Sequence, residues 1–306
     1  MGAALFNRPA GFAVGANGSI FIADSANNAI RVIENGAVYT FAGGETAGHV
    51  NGRLYAARFN QPRAIAIGPC GNLFVADTLN HVIRRISEDG NVTTIAGTPG
   101  VFGMRNGAAG TAAFDSPMGI VVCPAGRIFV ADTGNHLIRV IENGEVRTLA
   151  GTVVLPAEPG FDNYPLGGFA DGFAAMFGSP TGLAFWGENL IVADSMNHKI
   201  RAVLPTGETI TLAGTGYPGY LNTAPASASF HLPSGLYVRN NRLYIADTGN
   251  NLIRTMELRT TDFDIVDIVQ DTLPPDFWAY VSPGPGFAEY VEQTRPVWSF
   301  IQPQGN

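Results

Sequence analysis

The chain has 306 residues, of which 46% are apolar and 14% are charged, with a net charge of −7 and an isoelectric point near 5.2. The apolar content is sufficient for a packed core, and the acidic balance argues against nucleic acid as a partner. No stretch approaches the roughly 18 consecutive apolar residues that would predict a membrane span. The start of the chain also lacks the charged and apolar regions of a signal peptide. The location therefore stays open: either the protein acts where it is made, or a leader was removed and the location is extracellular or particle-associated.

Five related segments follow one another along the chain, and each reads as four short β-strands. In the second segment the predicted strands are RAIAIG, LFVAD, VIRRIS and VTTIAG, separated by turns rich in Gly, Asn and Asp. Runs this short, with many β-branched and aromatic residues, are typical of strands and too short for helices. The segments begin near residues 4, 57, 112, 175 and 228. A four-stranded unit repeated in this way predicts the blades of a β-propeller.

Three signatures recur in register within these segments. An Asp follows the second predicted strand of each segment, with Asn three and Arg seven residues later, as in Asp132, Asn135 and Arg139. The pattern A-x-F-x-x-P precedes each Asp, and an A-G pair closes the first four segments. The five Asp residues are Asp24, Asp77, Asp132, Asp194 and Asp247.

A catalytic residue should break the symmetry of a repeat, and the Asp–Asn–Arg set does not. We therefore expect this set to stabilise the turn between the second and third strands of each blade. In this interpretation Asp accepts backbone N–H groups of the turn, Asn takes a left-handed conformation, and Arg pairs with a carboxylate of the same or the next blade.

The motif P-x-G-[ILF]-A, as in residues 9–13 and 180–184, leads into [LI]-[FYI]-[VI]-A-D-[ST]-x-N-[HN]-x-I-R. This arrangement resembles the NHL repeat from residue 4 to about residue 260. The resemblance implies an all-β propeller of four-stranded antiparallel blades, commonly six in number, that serves as a binding or scaffolding platform. A minority of family members resemble lyases or hydrolases with a metal at the propeller axis.

Five repeats assign residues 4–271 to the propeller and leave residues 272–306 as an aromatic, Pro-rich segment. Its three apolar runs, Phe277–Val281, Phe287–Val291 and Val297–Ile301, fit either a C-terminal arm or a degenerate sixth blade. The density of Pro and Gly disfavours regular central strands, so the sequence favours five blades plus an arm.

Three histidines of the repeat are candidate metal ligands. His81, His136 and His198 occupy one repeat position, and three His side chains suggest zinc. Equivalent positions on successive blades lie far apart unless they sit at the axis, so neither a metal nor another cofactor is expected. His49 and His231 lie in long loops, where the repeat does not explain their placement.

Long loops between the blades should gather on one face, together with the Asp-containing turns. The Phe of each A-x-F pattern is expected to pack between blades. Aromatic and His side chains outside that pattern are candidates for binding a protein or carbohydrate, and those of the C-terminal segment are candidates for self-assembly. The candidates are Phe102, Phe161, Tyr164, Tyr217, Tyr220, His49 and His231 in the loops, and Phe277, Trp278, Tyr280 and Trp298 in the C-terminal segment.

The motifs expected of a phosphate-binding loop, a hydrolase nucleophile elbow and a calcium loop are all missing from the sequence. We therefore expect a non-catalytic binding or scaffolding module that uses the long-loop face or the C-terminal segment. Two alternatives stay open at this point: a structural component of a larger assembly such as a virion appendage or filament, and an axial metal-dependent lyase or hydrolase.

Overall fold

The computed structural model describes residues 5–155, 165–258 and 268–270, which form antiparallel sheets joined by tight turns. Five sheets follow one another along the chain, and the four main strands of each sheet are hydrogen-bonded to one another in chain order. The first sheet contains β1 (Pro9–Val14), β2 (Ile20–Asp24), β3 (Ala29–Glu34) and β4 (Ala37–Gly43). The second contains β5 (Gly52–Arg53), β6 (Pro62–Ile67), β7 (Leu73–Asp77), β8 (Val82–Ile86) and β9 (Asn91–Ala96).

The remaining three sheets repeat this plan. The third contains β10 (Gly107–Ala108), β11 (Gly119–Val122), β12 (Ile128–Asp132), β13 (Leu137–Glu142) and β14 (Glu145–Ala150). The fourth contains β15 (Pro180–Trp186), β16 (Asn189–Asp194), β17 (Lys199–Val203) and β18 (Thr209–Ala213). The fifth contains β19 (Pro233–Arg239), β20 (Arg242–Asp247), β21 (Leu252–Glu257) and β22 (Ile268–Gln270).

Each sheet is one blade, and the alternation of side chains along its strands determines which neighbouring blade each residue packs against. Successive residues of a strand point to opposite faces of the sheet. In the second blade, Ile65 packs with Ile30 of the first blade, whereas Ala66 packs with Ile120 of the third. The first strands of successive blades lie side by side from β1 to β6, β11, β15 and β19. The core is therefore a series of apolar layers between blades.

The prediction of an all-β propeller built from five four-stranded repeats is confirmed. The long loops add the short strands β5 and β10 to the outer edges of the second and third blades, which the sequence did not predict. Each is only two residues long and begins with Gly, so no hydrophobic alternation marks it. The choice between an arm and a sixth blade concerns residues outside those described. In the described parts of the chain, no helix is both long and apolar enough to cross a membrane.

Candidate functional site

The Asp of each repeat is the centre of a buried hydrogen-bond network. In the third blade, Asp132 Oδ1 accepts the backbone N–H of Asp115 at 2.7 Å. Its Oδ2 accepts Asn135 Nδ2 at 2.8 Å and a guanidinium N–H of Arg139 at 2.6 Å. The Arg139 guanidinium also lies 5.2 Å from the ring centre of Phe114. Both charged side chains are fully buried, so no substrate can reach them from solvent.

Burial governs the ionisation of these carboxyl groups. It raises the pKa of Asp132 to about 6, against the opposing effects of Arg139 and of the hydrogen bonds from Asn135 and Asp115. Burial likewise raises the pKa of Asp77 and of Asp194. The attraction to Arg139 does not fully offset the loss of hydration, as is usual for buried ion pairs. The network therefore holds the Asp-containing turn in place, which is the role expected from its repetition.

Two details of the predicted turn were wrong. The backbone N–H that Asp accepts comes from the long loop before the blade, as Asp115 shows, and not from the turn itself. The left-handed residue is the one after Asn, because Asn belongs to a 3₁₀ turn that ends there. The left-handed residues are Asn28, His81, His136, His198 and Asn251, with φ between 52° and 58°.

These left-handed residues connect each blade to the next. His136 Nδ1 accepts the backbone N–H of Ser179 at 2.8 Å, and His81 Nδ1 accepts that of Ser116 at 3.0 Å. Asn28 Oδ1 does the same for Gln61 at 3.0 Å. The Nδ1 atoms of these His side chains therefore accept hydrogen bonds between blades. Across the described residues, no three His, Cys, Asp or Glu side chains are arranged to hold a metal ion.

A fourth signature, G-x-x-[ND], lies in every long loop and was missed in the sequence. Its copies are residues 48–51, 103–106, 168–171 and 219–222. The carbonyl of Gly48 accepts Asn80 Nδ2 at 2.8 Å, and the carbonyl of Val50 accepts the Arg84 guanidinium at 2.8 Å. The other three loops make the same pair of bonds. These bonds place the long loops and the Asp-containing turns on one end of the propeller, which we call the loop face.

The second position of this signature carries a different side chain in each loop. His49, Met104, Phe169 and Tyr220 follow the bonded Gly at one equivalent place. The repeated hydrogen bonds fix the backbone there, whereas the side chain differs from loop to loop. A position with a fixed backbone and a variable side chain is suited to recognition. The signal was available in the sequence, but the unequal lengths of the loops concealed its register.

Both loop histidines occupy regular positions of the repeat, so the prediction that the repeat does not explain them was wrong. His49 belongs to the G-x-x-[ND] signature and its Nε2 lies 2.6 Å from Thr94 Oγ1. Burial, with a smaller contribution from Arg84, lowers the pKa of His49. His231 follows the A-x-F pattern, and its backbone N–H donates to Asp247 Oδ1 at 2.7 Å. Its ring lies 5.6 Å from that of His198.

The remaining candidates divide between exposed loop residues and residues outside those described. Tyr217 and Tyr220 are 77% and 73% exposed, and Phe102 is exposed with its ring 6.0 Å from that of His81. Residues Phe161, Tyr164, Phe277, Trp278, Tyr280 and Trp298 lie outside the described residues. The Phe of the A-x-F pattern is fully buried in the second to fifth blades, as predicted for Phe59, Phe114, Phe177 and Phe230. Phe6 of the first blade is only half-buried, which differs from that expectation.

The fourth blade departs most from the repeat. Lys199 occupies a position held by Ala29, Val82, Leu137 and Leu252 in the other blades. Its Nζ donates to the Gly214 carbonyl at 2.7 Å and lies 4.5 Å from the ring centre of Phe169. Burial first, and Arg201 second, lower the pKa of Lys199. Arg201 lies 4.8 Å from the Phe169 ring and pairs with Asp171 at 2.7 Å. Two cations therefore hold an exposed aromatic ring at the loop face.

The exposed apolar side chains are distributed unevenly. Most of those in the described residues lie in the long loops or in the Asp-containing turns, and the others lie mainly on the first and fifth blades. None lies in the turns at the opposite end of the propeller, which are rich in Gly, Asn and charged residues. The members on loops and turns are Val50, Tyr55, Leu79, Val101, Phe102, Val154, Leu155, Leu166, Phe169, Phe173, Met196, Tyr217, Tyr220, Leu221 and Leu232.

The repeat and the fold agree with one protein family. The family model of the NHL repeat matches residues 6–33 and 114–141, which contain the first and third Asp–Asn–Arg networks. The chain is an NHL-repeat β-propeller. The NHL propeller shares 33% identity with the chloroplastic protein SUPPRESSOR OF QUENCHING 1 of Arabidopsis thaliana, over 83% of this chain and 25% of that protein.

A human relative and a solved structure extend the comparison. The NHL propeller is 30% identical to NHL repeat-containing protein 2 of Homo sapiens, over 86% of this chain and 40% of that protein. It therefore spans less than half the length of either relative. A solved auxiliary nutrient binding protein from Bacteroides ovatus shares the fold, with a TM-score of 0.60 and 17% identity over 87% of this chain and 60% of that one.

Proposed function

We propose that this NHL propeller is a rigid, non-catalytic binding platform that engages a protein partner through its loop face. The observation that carries the proposal is that most exposed apolar and aromatic side chains of the described residues lie in the long loops and the Asp-containing turns, whereas the turns at the opposite end are polar. Exposed aromatic clusters on a rigid scaffold are characteristic of protein interfaces. Phe169, Tyr217 and Tyr220 supply three of these rings on two adjacent loops.

The buried networks explain why such a platform would be rigid. The G-x-x-[ND] bonds fix the loop backbone next to His49, Met104, Phe169 and Tyr220, so little conformational entropy is lost when a partner binds. Tyr and Phe side chains provide large contact areas with few rotatable bonds. The partner expected from this chemistry is a protein segment that offers apolar side chains to the rings.

The test is a selection of peptides from a displayed random library against the full chain, followed by affinity measurements in solution. We expect the selected peptides to lose at least about tenfold in affinity when Phe169 and Tyr220 are both replaced by Ser, which corresponds to about 1.4 kcal/mol. Matched controls on the opposite end, Glu88→Ala and Glu145→Ala, should leave the affinity unchanged. Selected peptides whose affinity is unchanged by the Phe169 and Tyr220 substitutions would overturn the proposal. So would turnover of an ester, lactone or amidated peptide that one axial substitution abolishes.

A further inference from the structure

A cavity of about 190 Å³ lies at the junction between the first and second blades, at the loop face. It is lined by residues around the start of β1, by residues around the start of β6, and by the Asp-containing turn of the first blade. About 150 Å³ is enough space for a benzene-sized molecule, so this cavity admits a small ligand or one side chain of a partner. Among the described residues that line it, Arg8 and Arg63 carry a positive charge and none carries a carboxylate.

These two arginines depart from the repeat. The residue before the Pro of the A-x-F-x-x-P pattern is Arg8 in the first segment, and the residue after that Pro is Arg63 in the second. The other segments have uncharged residues there, namely Gln61, Ser116, Ser179 and Leu232 before the Pro, and Ala10, Met118, Thr181 and Ser234 after it. The junction between the first and second blades therefore carries two cations, and the other three junctions between described blades carry none at these positions.

The protein itself does not neutralise the two arginines. In the part of the chain that the structure describes, no hydrogen bond or ion pair involves the guanidinium of Arg8 or of Arg63, or the side-chain amide of the neighbouring Gln61. The buried arginines differ, since Arg84 for example pairs with Asp77 at 2.7 Å. Two unpaired positive charges at one cavity repel each other, and a bound anion would remove this repulsion.

Hydrogen bonds between the two blades hold the walls of the cavity in place. Asn28 Oδ1 accepts the backbone N–H of Gln61 at 3.0 Å, and Ser25 Oγ donates to the carbonyl of Pro62. The strands β1 and β6 also pack side by side. The backbone that carries Arg63 is therefore fixed before a ligand arrives, which lowers the entropic cost of binding.

Side chains supply the hydrogen-bond donors that a ligand of this cavity can use. The backbone N–H of Ala26 already donates to the Asn7 carbonyl at 3.0 Å, and that of Gln61 donates to Asn28. Phosphate sites often add backbone N–H groups to their cations, whereas the planar guanidinium group matches the two oxygens of a carboxylate. The donor set of the cavity therefore favours a carboxylate.

We propose that the cavity beside Arg8 and Arg63 binds a carboxylate group. The two guanidinium groups donate to its oxygens, and the Gln61 amide supplies a further N–H donor. The carboxylate belongs either to a free small dicarboxylic acid or to an acidic side chain of a protein segment, since both present the same group. This site goes beyond the proposed function and does not depend on it, because Phe169 and Tyr220 lie in the loops before the fourth and fifth blades.

Nuclear magnetic resonance of the full chain, labelled with ¹⁵N-arginine, tests the proposal with defined probes at constant ionic strength. Titration with succinate should shift the Nε–H signals of Arg8 and Arg63 in a saturable way, with an affinity in the millimolar range. Succinamide has a similar shape without the charges and should leave both signals unchanged.

Substitutions borrowed from the repeat show whether both arginines hold the ligand. Arg8→Gln and Arg63→Met should each weaken succinate binding at least about tenfold, because one of the two charged donors is lost. Both variants are expected to fold, since Gln61 and Met118 occupy the equivalent positions of other blades. Arg147→Gln is the matched control, because it removes the same charge from an exposed site on the third blade and should leave the affinity unchanged.

A peptide probe separates the two sources of the carboxylate. The acetylated and amidated tripeptide Ala-Glu-Ala presents one acidic side chain on a short backbone. An affinity within about tenfold of that of succinate would assign the site to an acidic side chain of a protein, and a weaker affinity would assign it to a free dicarboxylic acid.

Three results would overturn the proposal. The first is the lack of a saturable shift with succinate, or inorganic phosphate binding at least about tenfold more tightly than succinate. The second is an equal effect of all three variants, since general attraction to positive charge would then account for the binding. The third is a loss in only one of Arg8→Gln and Arg63→Met, which would remove the joint role of the two arginines. If Arg63→Met fails to fold, Arg63→Thr replaces it, as Thr181 occupies that position in the fourth blade.

Discussion

At the scale of single residues, the buried guanidinium of Arg139 is tolerated because the chain surrounds it with acceptors. Asp132, the carbonyls of Arg105 and Ala113, and Asn106 all accept its N–H groups. Removing only the charge of Asp132 would leave a buried cation without its counter-ion. We therefore expect Asp132→Asn to lower the free energy of unfolding by about 3–5 kcal/mol, as urea denaturation would measure.

An exposed carboxylate of the same blade provides the control for Asp132. Glu142 pairs with Arg147 at 3.5 Å, and both side chains are well exposed. Glu142→Gln should change the free energy of unfolding by no more than about 0.5 kcal/mol. Equal effects of the two substitutions would show that the buried network has no special role in stability.

The histidines between blades predict a dependence of stability on pH. Burial lowers the pKa of His136, and its Nδ1 must be unprotonated to accept the Ser179 N–H. At His136 the folded chain therefore binds a proton less readily than the unfolded chain, so the contribution of this residue to stability is complete above about pH 6.5 and is lost as the pH decreases below it. His136→Asn keeps an acceptor, as Asn28 does at the first junction, and should weaken this fall.

Melting temperatures of the parent chain and of His136→Asn, compared from pH 7.5 to pH 5, would check this expectation. At pH 7.5 the two should lie close together, because the amide oxygen replaces the ring nitrogen as acceptor. At pH 5 the variant should have lost less stability than the parent. Parallel curves over the whole range would contradict the role assigned to His136.

At the scale of elements, the close approach of the fourth and fifth blades depends on Gly182, which has no side chain. A Cβ on Gly182 would overlap the Ser234 carbonyl of the next blade at 2.2 Å. Gly182→Ala should therefore force β15 and β19 apart and destabilise the fold by more than about 3 kcal/mol, or prevent folding altogether. Gly110→Ala is the control, because a Cβ there meets no atom within 4 Å. Thermal unfolding followed by circular dichroism would measure both variants, and equal melting temperatures would contradict this account of the packing.

Much of the element scale could be predicted from the sequence, and the exceptions have physical causes. The predicted strand LFVAD of the second repeat is β7 in the structure. It could be recognised because its residues alternate between the apolar layers on the two sides of the blade, so both sets are apolar. The G-x-x-[ND] loops were missed because the loops differ in length, which concealed the register of the Gly and of the Asn or Asp. Their bonds use backbone carbonyls, such as those of Gly48 and Val50. The exposure of single side chains could not be predicted either. Phe12 and Ile65 occupy the same position of the repeat, yet Phe12 is exposed and Ile65 is buried because their blades have different neighbours.

At the scale of the whole molecule, the repeat makes each blade depend on the blades beside it. Among the described residues, the first and fifth blades each have one apolar face without a blade against it, where Phe12 and Ile253 are exposed. In a repeat protein, stability arises from interfaces between neighbouring units, so a unit lacking a neighbour opens most readily.

This dependence predicts how protection from amide hydrogen exchange varies along the chain. Peptides from β12 and β13 should exchange slowest, because the third blade packs against both of its neighbours. Peptides from β1–β3 and β19–β21 should exchange faster, because the described residues place a blade against only one face of each terminal blade. Mass spectrometry of proteolytic peptides from the full chain would measure all three regions in one experiment. Equal protection in the three regions would contradict the dependence of each blade on its neighbours.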